Sequence, residues 1–238
     1  MYSACKQPIV IIGGFLSSQR FYKELSDILS DLSGQPVVVC NIGFFSWLRV
    51  FSAKGWLKIL LKLKSTVEEA AKNSPTGKVV LIAHSSGGVM ARLFLTPDQF
   101  KGNRFNGLNY VSDLVTLGSP HYSERSTPMR KYVQKKYPDS YFQPDVKYFS
   151  VAGAAVKGQK RHSLVSLISY YCYKYLCGDG NVIGDGLVPV ESALLHGSKR
   201  IILEEVGHPF IGARKWYGKP EIVKKWWHEF ISVKADRA

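Results

Sequence analysis

The 238-residue chain lacks any long apolar run and is poor in cysteine. No stretch of 18 or more apolar residues occurs, so we expect no transmembrane helix. An apolar segment, Ile9–Ile12, follows Met1 too closely for a signal or transit peptide. We therefore expect a soluble protein whose compartment stays unassigned, with a cytoplasmic or plastid-type compartment favoured.

The four cysteines form neither a C-x-x-C pair nor a cluster with histidine, so the sequence predicts no metal site. Cys5 and Cys40 lie near predicted strands and are typical of small buried side chains. Cys172 and Cys177 are close enough in sequence for a local disulfide. Free thiols are favoured there because the chain shows no export signal.

Acidic residues are also scarce: 18 Asp and Glu stand against 32 Lys and Arg, which gives a net charge of +14. The excess is concentrated. Ser119–Cys177 holds ten basic residues and three acids, and Phe44–Lys64 holds five basic residues and no acid. Such a balance indicates an anionic partner. We expect an anionic substrate or peripheral contact with an anionic membrane, and no nucleic acid.

Apolar residues make up 45% of the chain, and they occur in short runs that alternate with helical patterns. This alternation predicts a single α/β domain over residues 1–238, with a mostly parallel sheet of about six strands and helices on both faces. The predicted strands are Pro8–Ile12, Pro36–Asn41, Lys78–Ala83, Tyr110–Leu117, Tyr148–Ala152 and Arg200–Leu203. The predicted helices are Ser18–Leu32, Ala53–Ala71, Gly87–Leu95 and Pro220–Val233, and Phe44–Phe51 is expected to be a loop.

Two stretches break the alternation, Ser119–Lys147 and Gly158–Gly180. Nine of the 13 tyrosines lie in Ser119–Cys177. Long insertions in a compact domain are usually functional, so we expect a lid or cap around residues 119–180. The alternative is a small packed subdomain. The basic face of the helix Ala53–Ala71 has two interpretations as well, a solvated surface or a membrane-facing one.

The stretch Val79–Met90 (VVLIAHSSGGVM) predicts a strand, a tight turn and a helix. This is the shape of a nucleophile elbow, G-x-S-x-G with Ala at the first position, although an ordinary strand–loop–helix connection would also fit. The elbow requires small residues two positions before and after the nucleophile. Ala83 and Gly87 meet this for Ser85, whereas His84 is too large for Ser86 to be the nucleophile.

A serine nucleophile needs a base and a group that orients the base. Among the six histidines, His208 is the candidate because it follows the last predicted strand in GHPF. The side chain of His84, adjacent to the nucleophile, is expected to point elsewhere. Asp185, between two glycines in GDGLVP, is the candidate acid. Asp179 and, less favoured, Asp113 are its competitors, and any of the three could be a plain turn aspartate.

An oxyanion hole needs two N–H donors. The residue after the nucleophile, Ser86, would supply one. The loop after the first strand, Gly13-Gly14-Phe15-Leu16, would supply the other through the N–H of Phe15.

In this order, the segments PIVIIGGF, LIAHSSGG, VTLGSPH, GDGLVPVESALL and GHPF resemble α/β-hydrolases of the lipase–esterase type. The segments GDGLVPVESALL and WYGKPEIVKKWW are most similar to lipase-like hydrolases of plants and cyanobacteria. The resemblance implies the triad Ser85–Asp185–His208, an acyl-enzyme intermediate, a lid and no cofactor. Gly13 stands where this family commonly has His, so a hydrogen bond that supports the oxyanion loop is in doubt.

We therefore expect a serine hydrolase that cleaves carboxylic esters, of lipids or other acyl compounds. One alternative is a thioesterase or acyltransferase that uses the same triad. The other is a non-catalytic protein that binds ligands on this fold.

Overall fold

Six parallel strands form the central sheet. The structure, a computed structural model, describes residues 5–209, 211 and 215–235. The strands are those that the apolar runs predict, and the α/β fold class is confirmed: β1 (Ile9–Ile12), β2 (Val37–Val39), β3 (Val79–His84), β4 (Val111–Leu117), β5 (Lys147–Ala154) and β6 (Lys199–Glu204).

Helices connect the strands, and the four predicted helices are all present. The α-helices are α1 (Lys23–Ser33), α2 (Phe44–Trp47), α3 (Ala53–Lys72), α4 (Ser86–Phe94), α5 (Pro128–Lys136), α6 (Leu164–Cys177), α7 (Val190–Ala193) and α8 (Pro220–Ala235). A 3-10 turn, Gln19–Tyr22, precedes α1 where a single helix was predicted. Gly34 ends α1, because this glycine adopts the left-handed conformation with φ 66°.

The segment Phe44–Phe51, predicted as a loop, contains the short helix α2. Trp47 fixes this helix, because its side chain is fully buried and its Nε1–H donates to the carbonyl of Ser17 at 3.1 Å. A single anchoring aromatic in a four-residue helix produces no periodicity, so the sequence pattern could not reveal it.

The sheet separates two apolar layers because side chains alternate along each strand. In β1, Val10 and Ile12 pack in the layer that contains α3, α4 and α5, whereas Ile9 and Ile11 pack in the layer that contains α1 and α8. The apolar face of α3 is buried against the sheet, and Lys54 and Lys58 on its other face are exposed.

Two helices, α5 and α6, lie within the stretch predicted as a lid or cap, one on each side of β5 in sequence. The side chain of Ser163 caps α6 by accepting from Ser166 N, and Gly178 ends the helix with φ 81°. The assignment of residues 119–180 as a lid, and of the chain as one domain, stays a prediction.

The strand order, β6-β5-β4-β3-β1-β2, reverses its direction between β1 and β3. In open parallel sheets, ligands bind beyond the carboxyl ends of the strands at such a reversal. The carboxyl end of β1 leads to Gly13 and Gly14, and that of β3 leads to Ser85. Within the described part of the chain, no helix has both the length and the apolar character needed to cross a membrane.

A buried ion pair ties the end of α8 to the sheet. The carboxylate of Asp113, in β4, accepts from Lys234 Nζ at 2.6 Å and from Ser112 Oγ at 2.7 Å. The two charged side chains are 5% and 14% exposed. Removing one member of a buried pair leaves the other charge desolvated and uncompensated.

We expect Lys234→Met to lower the free energy of unfolding by about 3 kcal/mol, because it leaves the Asp113 carboxylate without its cation. Urea denaturation measures the change. The matched control is Lys23→Met, since Lys23 pairs with Asp27 at 2.5 Å on the exposed surface of α1. In this control, the free energy of unfolding should fall by less than about 1 kcal/mol. Equal losses for the two variants would contradict this role of the buried pair.

Candidate active site

The turn between β3 and α4 consists of one residue, Ser85, because β3 ends at His84 and α4 begins at Ser86. Ser85 has φ 53° and ψ −127°, a backbone conformation that residues other than glycine rarely adopt. Strain of this kind is maintained where function depends on it.

Close approach of two backbones explains the small residues around Ser85. A Cβ atom on Gly87 would lie 2.5 Å from the carbonyl oxygen of Gly13 and 2.9 Å from that of Ile12, so no side chain fits there. A Cβ atom on Gly14 would lie 2.8 Å from the Cβ of Ser85. The loop after β1 therefore passes directly over the turn after β3.

The structure brings Ser85, His208 and Asp185 into one chain of hydrogen bonds. His208 Nε2 lies 3.1 Å from Ser85 Oγ, and His208 Nδ1 lies 2.8 Å from Asp185 Oδ2. A carboxylate only accepts, so Nδ1 carries the ring proton and Nε2 is left to accept from the serine hydroxyl. Phe210, which completes the GHPF segment, lies outside the described residues.

Asp185 is fully buried, and hydrogen-bond donors surround its carboxylate. Oδ1 accepts from the N–H groups of Leu187 at 3.0 Å and Val188 at 2.8 Å. Oδ2 accepts from the hydroxyl of Tyr217 at 2.8 Å, and this hydroxyl in turn accepts from Gly153 N at 2.8 Å. Burial, together with the charge of Asp185, raises the pKa of Tyr217 well above its ordinary value, so the phenol remains a donor.

The two competing aspartates do not reach His208. Asp179 is exposed, and its Oδ1 accepts from Asn181 N at 2.8 Å, as expected of a turn aspartate. The carboxylate of Asp113 accepts a hydrogen bond from Lys234 instead. Of the three candidate acids, only Asp185 contacts the histidine.

The expectation that the His84 side chain points away from the site is wrong. Its ring centroid lies 4.9 Å from that of His208, with 30° between the two ring planes. Its Nδ1 lies 2.8 Å from the hydroxyl of Tyr22. Strand alternation places His84 on the same face as Val80 and Ile82, and the loop that carries His208 packs on that face. Burial, with a smaller contribution from His208, lowers the pKa of His84 well below its ordinary value, so this ring is uncharged.

The two predicted oxyanion donors flank Ser85. Ser86 is the first residue of α4, where a backbone N–H has no intrahelical acceptor. Phe15 follows the Gly13-Gly14 pair, and its ring makes edge contacts with Trp47 and Phe51. In the part of the chain that the structure describes, neither the N–H of Phe15 nor that of Ser86 donates a hydrogen bond.

Tyr22 accounts for glycine at position 13. A Cβ atom on Gly13 would lie 2.4 Å from Cε2 of Tyr22, so this ring fills the space that a larger residue would need. The Tyr22 hydroxyl accepts from Gly14 N at 2.8 Å, and Ser17 Oγ donates to the carbonyl of Gly14 at 2.6 Å. These two hydrogen bonds support the oxyanion loop, and they differ from the one that a His at position 13 would make.

Two cavities lie beside the turn after β3, one lined by Ser85 and the other by Ser86. The His208-side pocket, about 310 Å³, is lined by Gly14, Phe15, Leu16, Ser17, Phe21, Tyr22, His84, Ser85, Leu187, His208, Pro209 and Ile211. The Ser86-side pocket, about 230 Å³, is lined by Phe15, Val50, Phe51, Trp56, Ser86, Met90, Thr127, Arg130 and Tyr175. Phe15 lines both, so its ring lies at the boundary between them.

Tyr22, Tyr217 and the charged Arg130 are residues of the site region that the sequence did not reveal. All four cysteines, Cys172 and Cys177 included, are free thiols. Across residues 5–209, 211 and 215–235, no three His, Cys, Asp or Glu side chains cluster as a set of metal ligands.

Comparison with known proteins agrees with this architecture. The family described as PGAP1-like alpha/beta domain matches residues 56–165, which include Ser85 but end before Asp185 and His208. No curated protein matches the chain in sequence.

Three solved structures are similar over nearly the whole chain. The lipase of Staphylococcus hyicus has a TM-score of 0.63 and 12% sequence identity, and the match covers 99% of this chain and 98% of the lipase. The hydrolase MGS-MChE2, from the metagenome of lagoon sediments of Mar Chica, Morocco, has a TM-score of 0.56 and 16% identity, with coverages of 98% and 94%. Est1E of Butyrivibrio proteoclasticus has a TM-score of 0.54 and 12% identity, with coverages of 97% and 89%. At these identities the similarity establishes the fold. The chain has the fold of the α/β-hydrolase superfamily, and lipases and esterases are among its structural neighbours.

Proposed function

We propose that the protein is a serine hydrolase that cleaves carboxylic esters of lipids or other acyl compounds. The observation that carries the proposal is the unbroken chain of hydrogen bonds Ser85–His208–Asp185, which lies beside two unused N–H donors. The hydrolases among its structural neighbours support the reaction class.

In the proposed mechanism, Ser85 Oγ attacks the ester carbonyl while His208 Nε2 takes the hydroxyl proton. The buried Asp185 carboxylate stabilises the imidazolium that forms and holds the ring in the required tautomer. The N–H groups of Phe15 and Ser86 donate to the developing oxyanion. His208 then gives its proton to the leaving alcohol, and a water molecule, activated by the same histidine, hydrolyses the acyl-enzyme.

The neutral state of His84 suits this role for His208. A positive charge 4.9 Å away would oppose formation of the imidazolium. Because burial keeps His84 uncharged, the ring packs against His208 without that electrostatic cost.

The proposed mechanism also assigns one part of the substrate to each of the two cavities. The leaving alcohol must lie within reach of His208 Nε2, so we place it in the His208-side pocket. The acyl part then extends in the other direction, past Phe15 and into the Ser86-side pocket. Thr127, Arg130 and Tyr175, which line that pocket, come from the proposed lid region around 119–180.

A fluorophosphonate probe should label the folded protein, and Ser85→Ala should abolish labelling and lower kcat/KM for esters by about 10⁴-fold or more. The measurement is mass spectrometry of the labelled peptide. Ser86→Ala keeps its backbone N–H, so it should still be labelled, which separates the two adjacent serines. An unlabelled wild-type protein would indicate the non-catalytic alternative.

Aryl oxygen esters and aryl thioesters of the same acyl groups separate esterase from thioesterase. We expect kcat/KM for the oxygen esters to equal or exceed that for the matched thioesters, with free acid as the product in water. A thioester preference above about tenfold, or transfer of the acyl group to added glycerol in preference to water, would support the alternative enzymes instead.

An exposed aromatic surface next to the site supports the proposed membrane contact. Phe44, Phe45, Leu48 and Phe51 are between 49% and 79% exposed, and Phe51 contacts Phe15 at the boundary of the two pockets. Three basic residues that lie within or shortly after this segment in sequence, Arg49, Lys54 and Lys58, are exposed as well. Aromatic rings with adjacent cations are suited to the interface of an anionic bilayer.

The double variant Lys54→Gln/Lys58→Gln should bind vesicles containing anionic lipid about 30-fold more weakly, because each of the two basic residues contributes about 1 kcal/mol near such a surface. Co-sedimentation at low and high salt measures this. The control, Lys224→Gln/Lys225→Gln, makes the same charge change on α8, across the sheet from α3. Binding that ignores lipid charge and salt, or equal losses for both double variants, would contradict the assignment.

A further inference from the structure

The Ser86-side pocket contains a positive charge that the proposed mechanism does not use. Arg130 lies in the first turn of α5, and its Nη2 donates to Ser86 Oγ at 2.9 Å. The other described side chains that line the pocket are apolar, aromatic or hydroxyl-bearing, so Arg130 supplies its charge.

Arg130 differs from the neighbouring buried arginine, Arg92. The guanidinium of Arg92 is enclosed in the core and donates to the carbonyl of Tyr137, which is a structural contact. Among the described residues, no acidic side chain lies within the 4.0 Å of an ion pair from either guanidinium, but only Arg130 of the two lines the Ser86-side pocket. Burial lowers the pKa of Arg130, yet a guanidinium keeps its charge under these conditions.

A partly desolvated cation without a carboxylate is unfavourable in the folded protein alone. A guanidinium has five N–H donors in a planar fork that matches a carboxylate, and the hydroxyl of Ser86 engages one of them. The remaining donors are available at a pocket that, in the proposed mechanism, receives the acyl part of the substrate.

We propose that Arg130 binds a carboxylate at the far end of the substrate's acyl part, so that the preferred substrates are half-esters of dicarboxylic acids. This inference rests on the proposed function, because that function directs the acyl part toward Ser86. One guanidinium among uncharged lining residues balances one negative charge, which fits a carboxylate better than a doubly charged phosphate.

Paired substrates test the inference: the mono-4-nitrophenyl ester of adipic acid, and the same compound with its free carboxylate converted to a methyl ester. The wild-type protein should favour the anionic member by about tenfold or more in kcat/KM, because a hydrogen bond to a charged group carries roughly that preference. In Arg130→Gln the ratio should fall to near one, and in Arg130→Lys it should be intermediate. Lys131→Gln, one position along α5, should retain the wild-type ratio.

Binding without turnover gives an independent measurement. In the Ser85→Ala protein, calorimetry should show monomethyl adipate binding about tenfold more tightly than dimethyl adipate, and Arg130→Gln in the same background should remove the difference. Thermal unfolding of each variant verifies folding, and Arg130→Lys keeps the test informative where Arg130→Gln is unstable.

The outcomes separate the two proposals. Equal hydrolysis of both adipate esters by the wild-type protein would overturn the role of Arg130 and leave the hydrolase proposal standing. Absence of hydrolysis together with absence of probe labelling would overturn the hydrolase proposal itself. A stronger preference for a phosphonate than for a carboxylate of equal length would also contradict the inference, because it would assign the pocket to a different anion.

Discussion

The close approach between the loop after β1 and the turn after β3 is the constraint on which the site depends. Gly87 contacts the carbonyl of Gly13, and Gly14 lies against Ser85, at distances that exclude a Cβ atom on either glycine. Parallel pairing of β1 with β3 fixes this approach, because the two strands end at the same edge of the sheet. One backbone contact therefore sets the position of Ser85 and of both neighbouring N–H donors, those of Phe15 and Ser86.

A second constraint is electrostatic. The site buries one carboxylate, Asp185, and satisfies it with two backbone N–H groups, the hydroxyl of Tyr217 and His208. Buried charge is tolerated only with such partners. Two neighbouring rings of the site are kept neutral: burial suppresses protonation of His84 and ionisation of Tyr217. The negative charge of Asp185 therefore acts on His208 without competition from a second ion.

Most of the fold was predictable because the four central strands are buried on both faces and every strand of the sheet leaves an apolar run in the sequence. The proposed triad was predictable as well, because its members follow predicted strands or stand beside glycines. Tyr22 and Tyr217 were not predictable: Tyr22 meets His84 across 62 residues and Tyr217 meets Asp185 across 32. Periodicity reports which face a side chain occupies and not which distant residue it meets. The position of His84 could have been predicted from strand alternation, because His84 lies on the same face of β3 as Val80 and Ile82. Arg130 lies in an insertion that has no such pattern.

The basic residues of the chain include two arrangements that differ in how salt affects them. Lys54 and Lys58 of α3 are exposed, so their attraction to an anionic surface is screened over a Debye length of about 8 Å at physiological ionic strength. Arg130 is partly desolvated inside a pocket and would contact the proposed carboxylate directly, so its contribution would be screened far less. Raising the ionic strength should therefore release the protein from membranes while it leaves the choice of acyl group intact. Under the two proposals, the exposed lysines would determine where the protein acts, and Arg130 would determine which esters it selects.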